Sequence, residues 1–154
     1  MKTKGRKTIG RFIAMLYRMS LIYLGKELPG VNIGAGQYIF LAELFDEEGL
    51  SQDELTRKVY VDKANTARAL KRLEAAGYVR RRPDRNNRRI KRAFLEPSAL
   101  EIQDEFWGII TGWSEIITRD IPKERRELLL KDLKTMADNA AAHLQRYGTD
   151  RKED

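Results

Sequence analysis

Apolar residues recur along most of this chain at spacings of three and four, the signature of helices with one buried face. From Ile9 they fall at Phe12, Ile13, Leu16, Tyr17, Tyr23, Leu24 and Leu28, with Arg11 and Arg18 between them. This predicts an amphipathic helix that Pro29-Gly30 ends. Past Gly34 and Gly36 a second helix is expected over roughly residues 35–47, burying Tyr38, Ile39, Leu41, Ala42 and Phe45, with Gly49 closing it. Ser51-Gln52-Asp53-Glu54 has the S-x-x-E form of a capping box, in which hydroxyl and carboxylate satisfy each other's backbone N–H groups. A third helix therefore starts there and turns Leu55, Val59 and Tyr60 inward. Asp62 can cap a fourth, running to about Ala76 with Ala67, Leu70 and Leu73 facing the core and Gly77 as a left-handed stop.

Then the period changes. Tyr78–Arg82 and Ile90–Leu95 alternate as short strands around the turn formers of Pro83–Arg89. Two short helices joined by a tight turn and followed by a basic hairpin describe a winged helix-turn-helix. Pro97-Ser98 opens a long helix to about Asp120, apolar at Ile102, Phe106, Ile109, Ile110, Trp113, Ile116 and Ile117. Pro122 begins another, with Leu129, Leu133, Met136, Ala140 and Leu144 on one face. The expected fold class is mainly α with a small β-wing. A winged helix-turn-helix lobe spans residues 33–97 (helix-turn-helix about 51–77, wing about 78–96), and residues 8–30 and 98–147 form a helical dimerisation region. The first and the last two helices carry more apolar surface than one thin lobe can bury, which predicts a homodimer.

Composition narrows the chemistry. At 154 residues, 42% hydrophobic and 34% charged, the chain can bury a core. It has no cysteine, which excludes disulfides, thiolate metal sites and thiol catalysis. A single histidine, His143, argues against a histidine metal site or a Ser-His-Asp triad and reads as a helix-surface or interface residue. Asp46-Glu47-Glu48, just before a helix-ending glycine, reads as a solvated helix end rather than a metal or acid–base site. No enzyme activity, cofactor or metal is expected. Apolar runs such as Ile13–Tyr17 are too short to span a bilayer, and no cleavage site follows the basic start, so the expected location is cytoplasmic, nucleoid-associated when bound to DNA.

Charge decides the class of partner. The total is +7, yet Arg57–Arg92 holds fourteen basic residues against Asp62, Glu74 and Asp84. That block carries +11, leaving −4 for the rest despite Lys2, Lys4, Arg6 and Lys7 at the start. A one-signed block in an otherwise acidic chain is a docking surface for phosphates.

The middle of the chain resembles the multiple antibiotic resistance regulator (MarR) family of winged-helix transcription factors. Leu50–Leu55, Val61–Glu74, Gly77-Tyr78-Val79, Pro83–Arg89 and Leu95–Ala99 carry the likeness. The family's wing usually reads D-x-x-D-R-R; here Asp84, Arg88 and Arg89 fall in place and Asn87 replaces the second acid, which in relatives helps orient a wing arginine. The resemblance implies a homodimer with interlocked terminal helices that binds a palindromic double-stranded DNA operator. In many relatives a small aromatic or phenolic effector entering a crevice releases DNA. The oxidative release that others perform through cysteine is closed to this chain.

Residue types then suggest roles. Asn65, Thr66 and Arg68, near the start of the recognition helix, are placed to read base edges, since arginine pairs with guanine and asparagine with adenine. Lys63, Lys71 and Arg72 suit phosphates, as does the capped helix start near Ser51. Arg88 at the wing tip, with Arg85 and Arg89 nearby, suits a narrow minor groove. Tyr17, Tyr38 and Trp107, with Tyr23 and Trp113, are candidates to line an effector crevice. The function expected is a sequence-specific transcriptional regulator, a repressor. The competing reading is a winged-helix module using its basic face for protein or RNA contact.

Overall fold

The computed structural model describes residues 7–150, with side chains described to residue 145, so Lys2, Lys4 and Arg6 lie outside the described residues. The chain divides into two compact units, residues 1–113 and 114–154.

In the first unit, helix α1 (Ile9–Glu27) starts where the Thr8 hydroxyl accepts from the Arg11 N–H at 3.3 Å, and Pro29 turns its end into a 3-10 turn, Leu28–Val31. Helix α2 (Tyr38–Asp46) begins three residues later than expected. Gln37 causes the delay: its side-chain oxygen accepts from the Gly34 N–H at 2.8 Å, and its own N–H donates to the Gly34 carbonyl at 2.9 Å. That closed turn uses up the residues assigned to the helix. The fully buried face of α2 is Phe40, Leu41 and Leu44, while Tyr38, Ile39, Ala42 and Phe45 are only half buried. Nearly every residue from 38 to 45 is apolar, so period alone could not choose the face.

Strand β1 (Leu50–Ser51) leads into α3 (Gln52–Val59), and α4 (Lys63–Ala75) follows after a turn. Tyr60 ends α3 in the left-handed region (φ 54°) and is 64% exposed, not inward as expected, because the αL residue of the turn projects its side chain away from the core. The core side of α4 is Thr66, Ala69, Leu70 and Leu73, with Ala67 half buried. Gly77 takes φ 82° as the helix stop.

Strands β2 (Val79–Pro83) and β3 (Lys91–Leu95) form the wing, and β1 pairs antiparallel with the other edge of β3, giving the order β1-β3-β2. Two-residue β1 gave no alternation to read. It places Ser51 opposite Arg92, while β2 places Arg82 opposite the same residue.

The long helix expected from Pro97 is two: α5 (Pro97–Glu101) and α6 (Gln103–Ile117), parted at Ile102. Tertiary anchoring explains the break. The Ser98 hydroxyl donates to the Gly77 carbonyl at 2.6 Å and Ala99 is fully buried, tying α5 to the lobe, while α6 buries Phe106 in the same core. In the second unit, α7 (Lys123–Asp150) buries no residue among those described; Leu128, Leu129, Leu130, Leu133 and Leu144 are all exposed. Among the described residues no helix is long and apolar enough to cross a membrane.

Candidate nucleic-acid interface

Two caps fix the helix-turn-helix. At α3, the Ser51 hydroxyl accepts from the Glu54 N–H at 3.2 Å and the Glu54 carboxylate accepts from the Ser51 N–H at 2.6 Å, completing the capping box. These bonds hold the Glu54 carboxyl below its ordinary range, the Ser51 backbone first among the causes. At α4, Asp62 accepts from the Asn65 N–H at 2.8 Å, which with the Asn65 side chain depresses its own carboxyl. Both carboxylates sit where a helix N-terminus favours negative charge.

Capping gives α4 a buried row and an outer row. Outside lie Lys63, Asn65, Arg68, Lys71 and Arg72, all exposed. Asn65 and Arg68 are linked: the Arg68 guanidinium donates to the Asn65 carboxamide oxygen and the Asn65 amide donates to Asp62, each at 2.5 Å. This chain orders both side chains on the first turns of α4. Lys63 lies 3.3 Å from Asp53 on α3.

Thr66 is not in the outer row. Its side chain is 0% exposed, so the expectation that it reads a base edge is corrected: its hydroxyl is committed to the Asp62 carbonyl and to Thr56. One step around the helix separates Thr66 from Asn65, and the core claims it. Ser51 is buried as well, with hydroxyl and N–H both engaged by Glu54.

In the wing, Asp84 builds the turn, accepting from the Asn86 N–H at 2.8 Å and the Asn87 N–H at 2.9 Å. Asn87 accepts from the Arg89 N–H at 3.1 Å, so the residue standing in place of the second acid shapes backbone. Arg85, Arg88 and Arg89 are exposed around this turn.

The basic block presents fewer cations than its sum suggests. Lys58 pairs with Glu43 and Glu47, Arg80 with Glu96, Arg81 with Glu74, and Arg92 with Glu54 and Asp84. The acidic run is thus structural: Glu47 holds Lys58, and Glu48 accepts from the Leu95 N–H at 3.0 Å. Arg82 lies over the Phe94 ring, 5.9 Å from its centroid.

A cavity of about 620 Å³ opens beside α4, lined by Tyr17, Gln37, Tyr38, Tyr60, Asn65, Arg68 and Arg72 among others. Burial, and then the nearby Tyr17, push the Tyr38 hydroxyl above its ordinary pKa. Of the residues suggested for an effector crevice, Tyr17 and Tyr38 line this cavity and Trp107 does not. Trp107 packs on Phe106 and Phe45 with ring centroids 5.2 and 6.1 Å away. Tyr23 stacks on Trp113 at 5.3 Å and donates to the Ile109 carbonyl. Both tryptophans serve packing because α6 lies against α1 and α2. Missed from sequence, Tyr60 lines the cavity only because of its left-handed backbone.

A sequence model of the MarR family matches residues 33–91, which hold the helix-turn-helix and most of the wing. The crystal structure of a MarR transcriptional regulator from Methanosarcina mazei Go1 is 35% identical, covers 86% of this chain and 95% of its own, and superposes with a TM-score of 0.82. This chain belongs to the MarR family. The uncharacterized HTH-type transcriptional regulator YybA of Bacillus subtilis (strain 168) is 32% identical over 84 residues, 54% of this chain and 56% of YybA; the chain thus spans just over half that relative's length. BpsR of Bordetella bronchiseptica, whose DNA binding is regulated by 6-hydroxynicotinic acid, shares the fold at a TM-score of 0.77 and 17% identity, over 90% of this chain and 99% of BpsR. The family, the Methanosarcina mazei protein and YybA are transcriptional regulators, not enzymes.

Proposed function

We propose that this MarR-family protein is a sequence-specific repressor that binds a palindromic operator as a homodimer and releases it when a small aromatic or phenolic ligand binds. The observation that carries the reading is the exposed row Asn65, Arg68, Lys71 and Arg72 on α4, flanked by a wing turn with three exposed arginines. An exposed helix of this kind fits a major groove, where arginine and asparagine have bidentate base partners, and the wing arginines suit the adjoining minor groove. Lys63 and the backbone at the start of α3 near Ser51 serve phosphates in this reading. Dimerisation through residues 8–30 and 98–147 is supported by apolar side chains left exposed on α1 and α7. Release is supported by the cavity, where the Tyr17, Tyr38 and Tyr60 rings stand near two guanidinium groups. Such a protein works in the cytoplasm, on the nucleoid.

Selection of bound duplexes from a random pool, followed by affinity for the winner and a scrambled duplex at matched salt, tests the reading. A palindromic winner bound at least about a thousandfold more tightly than the scrambled duplex is the expected result. Equal affinities would overturn it in favour of an interaction module.

A further inference from the structure

We propose that Arg92 is a positioning residue for DNA binding: it contacts no nucleic acid and holds the wing arginines in place against the recognition helix. Arg92 lies in the central strand β3, between Ser51 and Arg82. Its Nε donates to the Asp84 carboxylate at 2.5 Å, and its Nη1 donates to the Gly49 carbonyl at 2.8 Å and to Glu54 at 3.1 Å. One guanidinium therefore ties together the turn of the wing, the loop before β1 and the first turn of α3.

Each carboxylate in the clamp already has a local task. Asp84 builds the wing turn with one oxygen and meets Arg92 with the other; Glu54 completes the cap of α3 with the same oxygen that Arg92 reaches. Arg92 thus connects the element that carries Arg88 to the frame that orients α4. A planar fork can reach three acceptors in fixed directions, which a lysine ammonium on a flexible stem cannot. A lone two-stranded ribbon holds its geometry poorly in water. Without the clamp the wing samples many orientations, Arg88 is no longer held where it meets the duplex, and its contact is lost. The guanidinium is spent inside the protein, so this role is separate from phosphate contact.

The inference rests on the DNA-binding reading above, and the test separates the two. Full-length protein is titrated with the duplex selected for it across a salt series, as wild type, Arg88→Ala, Arg92→Met, Asp84→Asn and the combinations with Arg88→Ala. Asp84→Asn keeps the oxygen that builds the turn and replaces the acceptor of Arg92 with an amide, so it breaks the clamp even if Arg92→Met fails to fold. Expected is a flattening of the salt slope by roughly one unit in every single variant, with Arg88→Ala adding less than about twofold to a clamp variant. Base preference along α4 should stay as in wild type. Independent, multiplying losses, or wild-type affinity in a folded clamp variant, would overturn the positioning role alone. An Arg88→Ala protein that binds like wild type would remove Arg88 from the interface and overturn the positioning role, whereas failure to bind the selected duplex better than a scrambled one would overturn the DNA-binding reading itself.

Discussion

The Thr56 hydroxyl donates to the Thr66 hydroxyl at 2.9 Å, and Thr66 donates onward to the Asp62 carbonyl at 3.0 Å. This relay joins α3 to α4 where the two helices of the DNA-binding motif meet. Thr66→Val keeps the shape and removes the acceptor, leaving a half-buried hydroxyl on Thr56 unpaired. The expected cost is about 1–3 kcal/mol of stability, read by denaturant unfolding at fixed protein concentration. Base preference should not change, and a relaxed preference would return Thr66 to the reading surface.

Arg68 and Lys71 should fail differently. The bond from Arg68 to Asn65 orders a planar donor suited to a base edge, so Arg68→Ala should cost on the order of 1–3 kcal/mol per half-site on the selected duplex and little on scrambled DNA. Lys71→Ala should weaken both duplexes by similar factors and lower the salt slope by roughly one unit per lost contact. Equilibrium titration of both duplexes over a salt series checks each outcome; equal loss on every sequence from Arg68→Ala would contradict the assignment.

What could be read from the chain was whatever a local pattern encodes. The capping box at Ser51 and Glu54, the cap at Asp62 and the stop at Gly77 rest on contacts within a few residues, the wing strands on their own alternation and the turn between them, and all are found in the structure. Legibility ended where distant residues decide. Thr66 is buried because Thr56 and the core meet it, and Trp107 is a packing residue because Phe45 and Phe106 surround it. The clamp of Arg92 is likewise invisible in spacing, since Gly49 and Glu54 lie 43 and 38 residues away.

Acid should loosen the wing. Arg92, then the Asn87 and Asn86 N–H groups, lower the Asp84 carboxyl from 3.8 to about 2. A carboxyl depressed in the folded state stabilises it above the unfolded value, and the benefit fades as pH falls through the folded one. The stability this group contributes should therefore be complete above about pH 4 and vanish towards pH 2. Melting temperatures across that window should fall less steeply for Asp84→Asn than for wild type. Parallel curves would mean that the carboxylate is not linked to folding.

The exposed apolar faces make the last prediction. On α1, Ile9, Phe12, Ile13 and Leu16 stand between 42% and 67% exposed, and on α7 Leu129, Leu133 and Leu144 are exposed as well. Singly such residues are ordinary, but a row of them along one helix leaves that helix with an apolar face that water disfavours, and α1 and α7 each carry such a row. Burying each large side chain is worth about 1.5–3 kcal/mol, so covering these rows with a second copy outweighs the entropy of association only if many are covered together. The protein should sediment as a dimer at micromolar concentration, with a melting temperature that rises with concentration. Phe12→Glu or Leu133→Glu places a charge in the seam and should shift the population to monomer or unfolded chain. DNA affinity should fall with it, because a palindrome is gripped by two linked lobes. A folded wild-type monomer at that concentration, or Glu variants that remain dimeric, would place the seam elsewhere.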